Sequence, residues 1–530
     1  MRLVRRKVSS PKRAAVPSPV EIEPVAHRAS DHVFASIAAF VSGGCLMVLE
    51  LVASRVLAPA FGNTVFLWTS VIGLILAALS VGYWLGGWLA DRQPGTATLC
   101  AATALAGLFV GLIPLLSPVV LESMGAPGHG AISGPLVAAA ALFLVPGILI
   151  GTISPMAVKL VSLGGTAVGH AAGRVSALGA LGSIAGTFST GFVLIPMAGN
   201  RAIIVGVAVT LVVLGVGGFV LAKQKLSRAQ GLILLLAAGS CIAAASAEAE
   251  SVPGMLFDRE TFYHRVRVRD EEWGPRRVRI LTLDTTPEGA MYLDGDRDEL
   301  PFAYTQYIDL ADLFVTAPRR AAFIGGGSYA MPKRFIRRHE GSTAEVYEVD
   351  PVVADVGRRF FGTDDVQGLG NRVGDARQLL RDGSGRFDLI FGDAYNGVRQ
   401  IPFHLTTLEY YRLVHARLRL GGIYMTNIIT AVAGPGAEFF QSTARTLLEV
   451  FPEVYAFSVG GRLDRSSNVI LVCPVVPRGF SSSQIRDLGR GTPLEEFTDT
   501  IVDSDEYETG VRFAPILTDD HSPVESLVAG

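Results

Sequence analysis

Two patterns of apolar residues divide this chain of 530 residues near position 250. Up to that point seven apolar runs, near 33–57, 66–90, 97–120, 133–157, 172–196, 200–222 and 229–247, follow one another with short polar breaks. Each is close to the roughly 20 residues that a helix requires to cross a bilayer, so the pattern predicts an N-terminal α-helical transmembrane bundle of about seven spans. Past 250 the runs shorten. Residues 261–294 alternate apolar and polar positions between turn signals at 273–275 and 287–289, which predicts a small antiparallel β-sheet.

A helical stretch at 304–314 leads into a third rhythm. Strand-like apolar runs lie at 321–324, 344–349, 387–393, 423–429, 454–459 and 468–475, with a strand end at 371–375. Helical patterns separate them at 331–339, 351–361, 405–418 and 438–451. Strands alternating with helices imply a mostly parallel sheet covered on both faces, a C-terminal α/β domain of Rossmann-like type. The predicted organisation is a disordered basic tail over 1–30, a transmembrane domain over 31–250, a β-rich subdomain over 255–315 and a Rossmann-like domain over 316–530.

Composition agrees with a membrane chain: 49% of residues are hydrophobic and the mean hydropathy is +0.40, high for a wholly soluble protein. The net charge of −2 gives no reason to expect nucleic acid as a partner. Cys45, Cys100, Cys241 and Cys473 have neither metal nor redox spacing and read as packing residues. No Walker loop, metal-ligand cluster or serine elbow is found in the sequence, so no bound metal is expected.

Short-loop charges orient the bundle. Basic residues sit in the N-terminal tail, at Arg92, at Lys159 and Arg174, and at Lys223, Lys225 and Arg228, which are alternate connections. The positive-inside rule makes these cytoplasmic, describing a multi-pass protein of the cell (inner) membrane. Arg201 is the exception, and Arg55 is expected to snorkel. Seven spans would then put the C-terminal domain outside, whereas nucleoside chemistry would be expected inside; the sequence leaves that side open. Glu50 is the chief intramembrane acid, read either as a structural partner of Arg55 or a neighbouring helix, or as a site of substrate or proton traffic. Gly179, Gly182 and Gly186 suit close helix packing in lipid.

The candidate chemistry centres on 321–350. An apolar strand enters Gly325, Gly326 and Gly327, a helix follows, and a second strand ends at Glu348 and Asp350. This is the layout of a nucleoside-binding βαβ unit: glycines admit the ligand close to the backbone, and an acid about 20 residues on holds ribose hydroxyls. Asp375 and Asp393 fall at further strand ends, where ligands of open α/β sheets bind. Asp350 also reads as the N-cap of the helix opened by Pro351. Other charged groups get plainer readings: Asp270–Glu272 and 294–299 as solvated turns, Arg334, Arg337 and Arg338 as a solvent or membrane-surface face, and His404 and His521 as locally satisfied.

Together these residues resemble the spermidine synthase (polyamine aminopropyltransferase) family over roughly 258–475. The branch in which transmembrane helices precede that domain is matched further by LELVASRVLAPAFG at 49–62, GYWLGGWLAD at 82–91, DAYNGVRQIPFHLTTLEYY at 393–411 and LTDDHSPVE at 517–525. The segment at 86–95 also resembles a loop of major-facilitator transporters. The family resemblance implies that Gly325, Gly326, Gly327, Ser328, Glu348, Asp350, Gly374 and Asp375 form the pocket for decarboxylated AdoMet (or AdoMet) as cosubstrate and that Asp393 is the catalytic base. It implies that Tyr304, with Gln306 near it, and Asn396 place the substrate amine. A homo-oligomer is the further implication, which a membrane tether can alter.

Two positions depart from the family. Ser328 stands where an aspartate takes the cosubstrate ammonium, and Asn396 where a second loop aspartate is found. Both changes remove negative charge intended for a cation. Three readings therefore stand: a membrane-anchored aminopropyltransferase acting on an amine such as putrescine, a methyltransferase using intact AdoMet, and a non-catalytic sensor or transporter that binds a nucleoside or polyamine.

Overall fold

The computed structural model describes residues 29–124, 133–222, 227–246, 253–296, 299–395 and 401–529. The basic tail, Lys223, Lys225, the boundary at 250 and Asn396 lie outside them.

Among the described residues, seven helices are long and apolar enough to cross a membrane. They are α1 (Ala29–Phe61), α2 (Val65–Arg92), α3 (Thr96–Met124), α4 (Ser133–Leu163), α5 (Val168–Ser189), α6 (Asn200–Ala222) and α7 (Arg228–Ser246). The first four are longer than the apolar runs suggested. The fifth continues as a π-helical turn at Thr190–Leu194. Small residues set the packing of α1 on α5: a side chain at Gly182 would collide with the Phe40 carbonyl, and one at Gly186 with that of Gly44. Arg55 does not turn to Glu50. Five residues apart on a helix, the two point roughly 140° apart, and Arg55 instead leaves the bundle to reach Asn200 and the loop at 261–262.

The soluble part opens with four antiparallel strands, β1 (Met255–Glu260), β2 (Arg265–Trp273), β3 (Arg276–Leu283) and β4 (Thr286–Tyr292), in that order across the sheet. Asp270–Glu272 lie within β2, not in a solvated turn, and Asp270 takes a two-pronged ion pair from Arg279 on β3 at 2.8 and 2.9 Å. The stretch at 303–314 is not one helix but Ala303–Gln306, a 3₁₀ turn at Tyr307–Leu310 and Ala311–Phe314.

The second sheet contains β5 (Arg320–Ile324), β6 (Thr343–Glu348), β7 (Leu369–Val373), β8 (Phe387–Gly392), β9 (Leu418–Thr430), β10 (Tyr455–Ser458) and β11 (Ser467–Pro474). Its order is β10-β11-β9-β8-β5-β6-β7, parallel from β9 to β7 and antiparallel at β11 and β10. Helices α8 (Ala330–Arg338), α9 (Pro351–Phe361), α10 (Ala376–Asp382), α11 (Leu408–Arg417) and α12 (Glu438–Leu448) connect the strands. Alternate residues of one strand feed opposite faces: Ala322 and Ile324 pack with Ile390 and Tyr424, while Ala321 and Phe323 pack with Phe391 and Met425. Both faces are therefore buried, as a parallel sheet demands. Arg334 and Arg338 on α8 pair with Asp309 and Asp312, docking that basic face on the 303–314 stretch.

The chain winds from β5 outward through β6 and β7, then returns to the other side of β5 as β8 and β9. The reversal opens a crevice beyond the carboxyl ends of β5 and β8. The soluble domain meets one end of the bundle: Thr285 Oγ1 donates to the Pro59 carbonyl at 2.8 Å, and Asn200 N and Val65 N donate to Glu260 and Glu525, each at 2.7 Å. Arg92 and the Asp91–Lys159 pair lie at the ends of helices that run the other way, on the opposite end of the bundle.

Candidate active site

A cavity of about 510 Å³ occupies that crevice, walled by the carboxyl ends of β5, β6 and β8, the hairpin of β3 and β4, and the loop at 263–264. Gly325, Gly326, Gly327, Ser328, Glu348, Gly374, Asp375, Asp393 and Tyr304 all line it. Gln306 does not. Its side chain donates to the Leu300 carbonyl at 3.0 Å, and Thr305 stands in the wall instead.

The glycine turn is shaped by contact. Gly325 adopts φ +95°, and any side chain there would strike the Asp393 carbonyl. Glu348, 7% exposed, accepts Gly326 N and Asp350 N, each at 2.8 Å, so one carboxylate ties the turn after β5 to the end of β6. Burial raises its pKa, and the two amides oppose that rise.

Asp350 serves the scaffold. It caps α9 by accepting Val352 N at 2.9 Å and takes the Thr261 hydroxyl at 2.5 Å, away from the cavity lining. Asp375 caps α10 through Gln378 N at 2.9 Å and bonds His404 Nε2 at 2.9 Å, with His404 itself in the wall. The terminal motif supports this corner from behind: Asp519 accepts Arg377 at 2.5 and 2.7 Å, and Arg377 also holds the His404 carbonyl. His521 stays in an exposed turn, its amide held by Thr518.

Asp393 follows β8. Its Oδ2 accepts the Tyr304 hydroxyl at 3.1 Å, and its Oδ1 accepts Asn427 Nδ2 at 2.9 Å. Burial pushes its pKa up to about 6, moderated by those two donors. The carboxylate is thus fixed in orientation and ionised above that pH. Asn427, towards the carboxyl end of β9, is held by Asn468 Nδ2 at 3.0 Å, and neither stands out in its apolar run, 423–429 or 468–475.

Glu288 was also missed, hidden in a Pro-Glu-Gly turn signal. It lines the cavity on the β4 side. Burial, aided by nearby Asp393, Asp284 and Glu348, holds its pKa well above the usual carboxylate range. Glu288, Glu348, Asp375 and Asp393 thus line one cavity, and no lysine or arginine does so among the described residues. Such a wall favours a cationic ligand and offers no lysine or arginine to a ligand carboxylate.

The bundle holds one part of this wall. Arg55 of α1 donates to the carbonyls of Thr261 and, at 3.0 Å, Phe262. The Thr261 hydroxyl in turn accepts the amides of Tyr263 and His264, each at 3.0 Å, and both of those residues line the cavity.

No family model matches the chain. Curated relatives named polyamine aminopropyltransferase do. One from Vibrio vulnificus (strain CMCP6) is 26% identical over 171 residues, which is 32% of this chain and 55% of that protein. The chain therefore spans about half the length of that relative. Another, from Corynebacterium efficiens, is 28% identical over 426 residues, covering 76% of this chain and 78% of the relative, so the match runs beyond the soluble part into the apolar helices. The eEF1A lysine and N-terminal methyltransferase of Xenopus laevis is 27% identical over 175 residues, covering 31% of this chain and 24% of its own length. Among solved structures, a probable spermidine synthase from Corynebacterium glutamicum ATCC 13032 aligns with 50% of this chain and 97% of its own, at 21% identity and TM-score 0.43. The resemblance read from the sequence thus holds: the Vibrio vulnificus and Corynebacterium efficiens relatives carry the aminopropyltransferase name.

Proposed function

We propose that the chain is a membrane-anchored aminopropyltransferase. It transfers the three-carbon amine arm of decarboxylated AdoMet to an acceptor amine such as putrescine. The observation that carries this reading is the oriented Asp393 carboxylate, in a cavity whose wall is acidic and holds no lysine or arginine among the described residues. The names of the curated relatives support it.

In the reaction the acceptor nitrogen attacks the carbon beside the sulfonium. A C–N bond forms as the C–S bond breaks, and the electron pair leaves on sulfur as neutral methylthioadenosine. No acid is needed for the leaving group. The acceptor must be deprotonated, and an alkyl amine of pKa about 10 is mostly protonated at neutral pH. Asp393 holds the attacking nitrogen and accepts its proton, with Tyr304 and Asn427 fixing the two oxygens. Glu348 and the glycine turn position the nucleoside, so that alignment of the two substrates contributes to the rate. Methyl transfer from AdoMet is the rival reading, favoured by the Xenopus laevis relative; it would bring a carboxylate to a described wall without lysine or arginine. The test is release of methylthioadenosine from decarboxylated AdoMet in the presence of amines.

The soluble domain, in this reading, lies on the membrane face opposite the basic loops at Arg92 and Lys159. The four native cysteines are buried, so Arg259→Cys, at an exposed position on β1, supplies a reporter. An impermeant maleimide should label it in intact cells, and protection until lysis would place the domain inside.

A further inference from the structure

We propose that Glu288 is the specificity-determining acid for the ligand's primary ammonium, selecting a nucleoside sulfonium that carries an amine and no carboxylate. This rests on the proposed function and names the end of the cosubstrate that the β3–β4 hairpin recognises.

The hairpin closes directly on the glycine turn. An added side-chain carbon at Gly289 would lie 2.5 Å from Ser328 N and 2.6 Å from its Oγ, and one at Gly327 would lie 2.9 Å from the Glu288 carbonyl. Glu288 therefore enters the cavity beside Gly327 and Ser328. Ser328 cannot supply the anion there: its side chain is short and neutral, and its hydroxyl is directed to the Ala290 carbonyl at 3.3 Å. Glu348 and Asp375 already accept protein donors through both carboxylate oxygens, and so does Asp393. Glu288 differs. It lines the cavity, yet among the described residues it has no hydrogen bond or ion pair to the protein.

An acid left in such a wall is costly unless a ligand brings the missing donor. A primary ammonium does so, with three donors and a full charge. A donor retaining its carboxylate would put a second anion beside Glu288, with no arginine or lysine in the described wall to offset it. The charge absent at Ser328 is thus supplied from the opposite strand, and discrimination follows from geometry built on β4.

The test is calorimetry on the purified full-length protein with two probes. One is decarboxylated AdoMet; the other is 5′-dimethylsulfonio-5′-deoxyadenosine, which keeps the nucleoside and sulfonium but lacks the amine. The wild-type protein should bind the first more tightly, and Glu288→Gln should erase about 10- to 100-fold of that preference, the size of a lost charge-assisted hydrogen bond. Affinity for the second probe should stay unchanged, which also shows that the variant is folded, and Glu288→Asp should keep part of the preference. An undiminished preference in Glu288→Gln would overturn the assignment, as would an equal loss for both probes, the mark of a purely structural role. Failure of the wild-type protein to bind either probe would instead overturn the proposed function, and this inference with it.

Discussion

Asp393→Asn should lower the rate of aminopropyl transfer by about 10²- to 10⁴-fold, the usual contribution of a positioned general base. Nucleoside affinity should hardly move, because Asn keeps the size of the side chain and an oxygen for one of its two donors. What it loses is charge and proton affinity. The pH profile gives a second readout. Burial raises the Asp393 pKa to about 6, so the carboxylate is protonated below that value and ionised above it. Transfer should therefore fall as pH drops through about 6, well above an ordinary aspartate's range, and the variant should lose that limb. A variant that retained turnover, or a profile that held its activity down to pH 4, would remove Asp393 from the role of base.

Glu348→Ala has the second large expected effect, and it acts on binding and fold together. The carboxylate accepts the amides of Gly326 and Asp350. Its removal leaves two backbone donors without partners, at a cost of about 2–4 kcal/mol in stability. The same change removes the acceptor for ribose hydroxyls, so affinity for methylthioadenosine should fall by at least about 100-fold, corresponding to roughly 2.7 kcal/mol of charge-assisted hydrogen bonding. Thermal unfolding and calorimetry on one preparation measure both. A stable variant with unchanged affinity would contradict the placement of the nucleoside at the glycine turn.

The sheet was legible in the sequence because its strands are short apolar runs whose chemistry falls at their carboxyl ends. Ile324 into Gly325, Val346 to Glu348 and Phe391 to Asp393 all follow that rule. A functional group that interrupts an apolar run leaves no such signature. Asn427 sits between residues that pack on both faces of β9, and its role is visible only once Asp393 is brought alongside in space. Glu288 was read as part of a turn, since a proline and a glycine flank it and its burial comes from a glycine motif elsewhere in the chain.

Long-range contacts account for the other differences. Arg55 looked like a snorkelling side chain because its partner at Thr261 is 206 residues away. Asp350 supported two readings, and the helix cap is the contact that forms. Gln306 lies two residues after Tyr304 on the same short helix, so the two side chains point roughly 160° apart and only Tyr304 lines the cavity.

The most direct measurement is the product formed when the purified full-length protein meets decarboxylated AdoMet or AdoMet together with a panel of alkyl amines. The account predicts methylthioadenosine and an aminopropylated amine from decarboxylated AdoMet, dependent on the amine and on Asp393, and no product from AdoMet. Formation of S-adenosylhomocysteine from AdoMet, or no turnover of decarboxylated AdoMet with any amine, would contradict it.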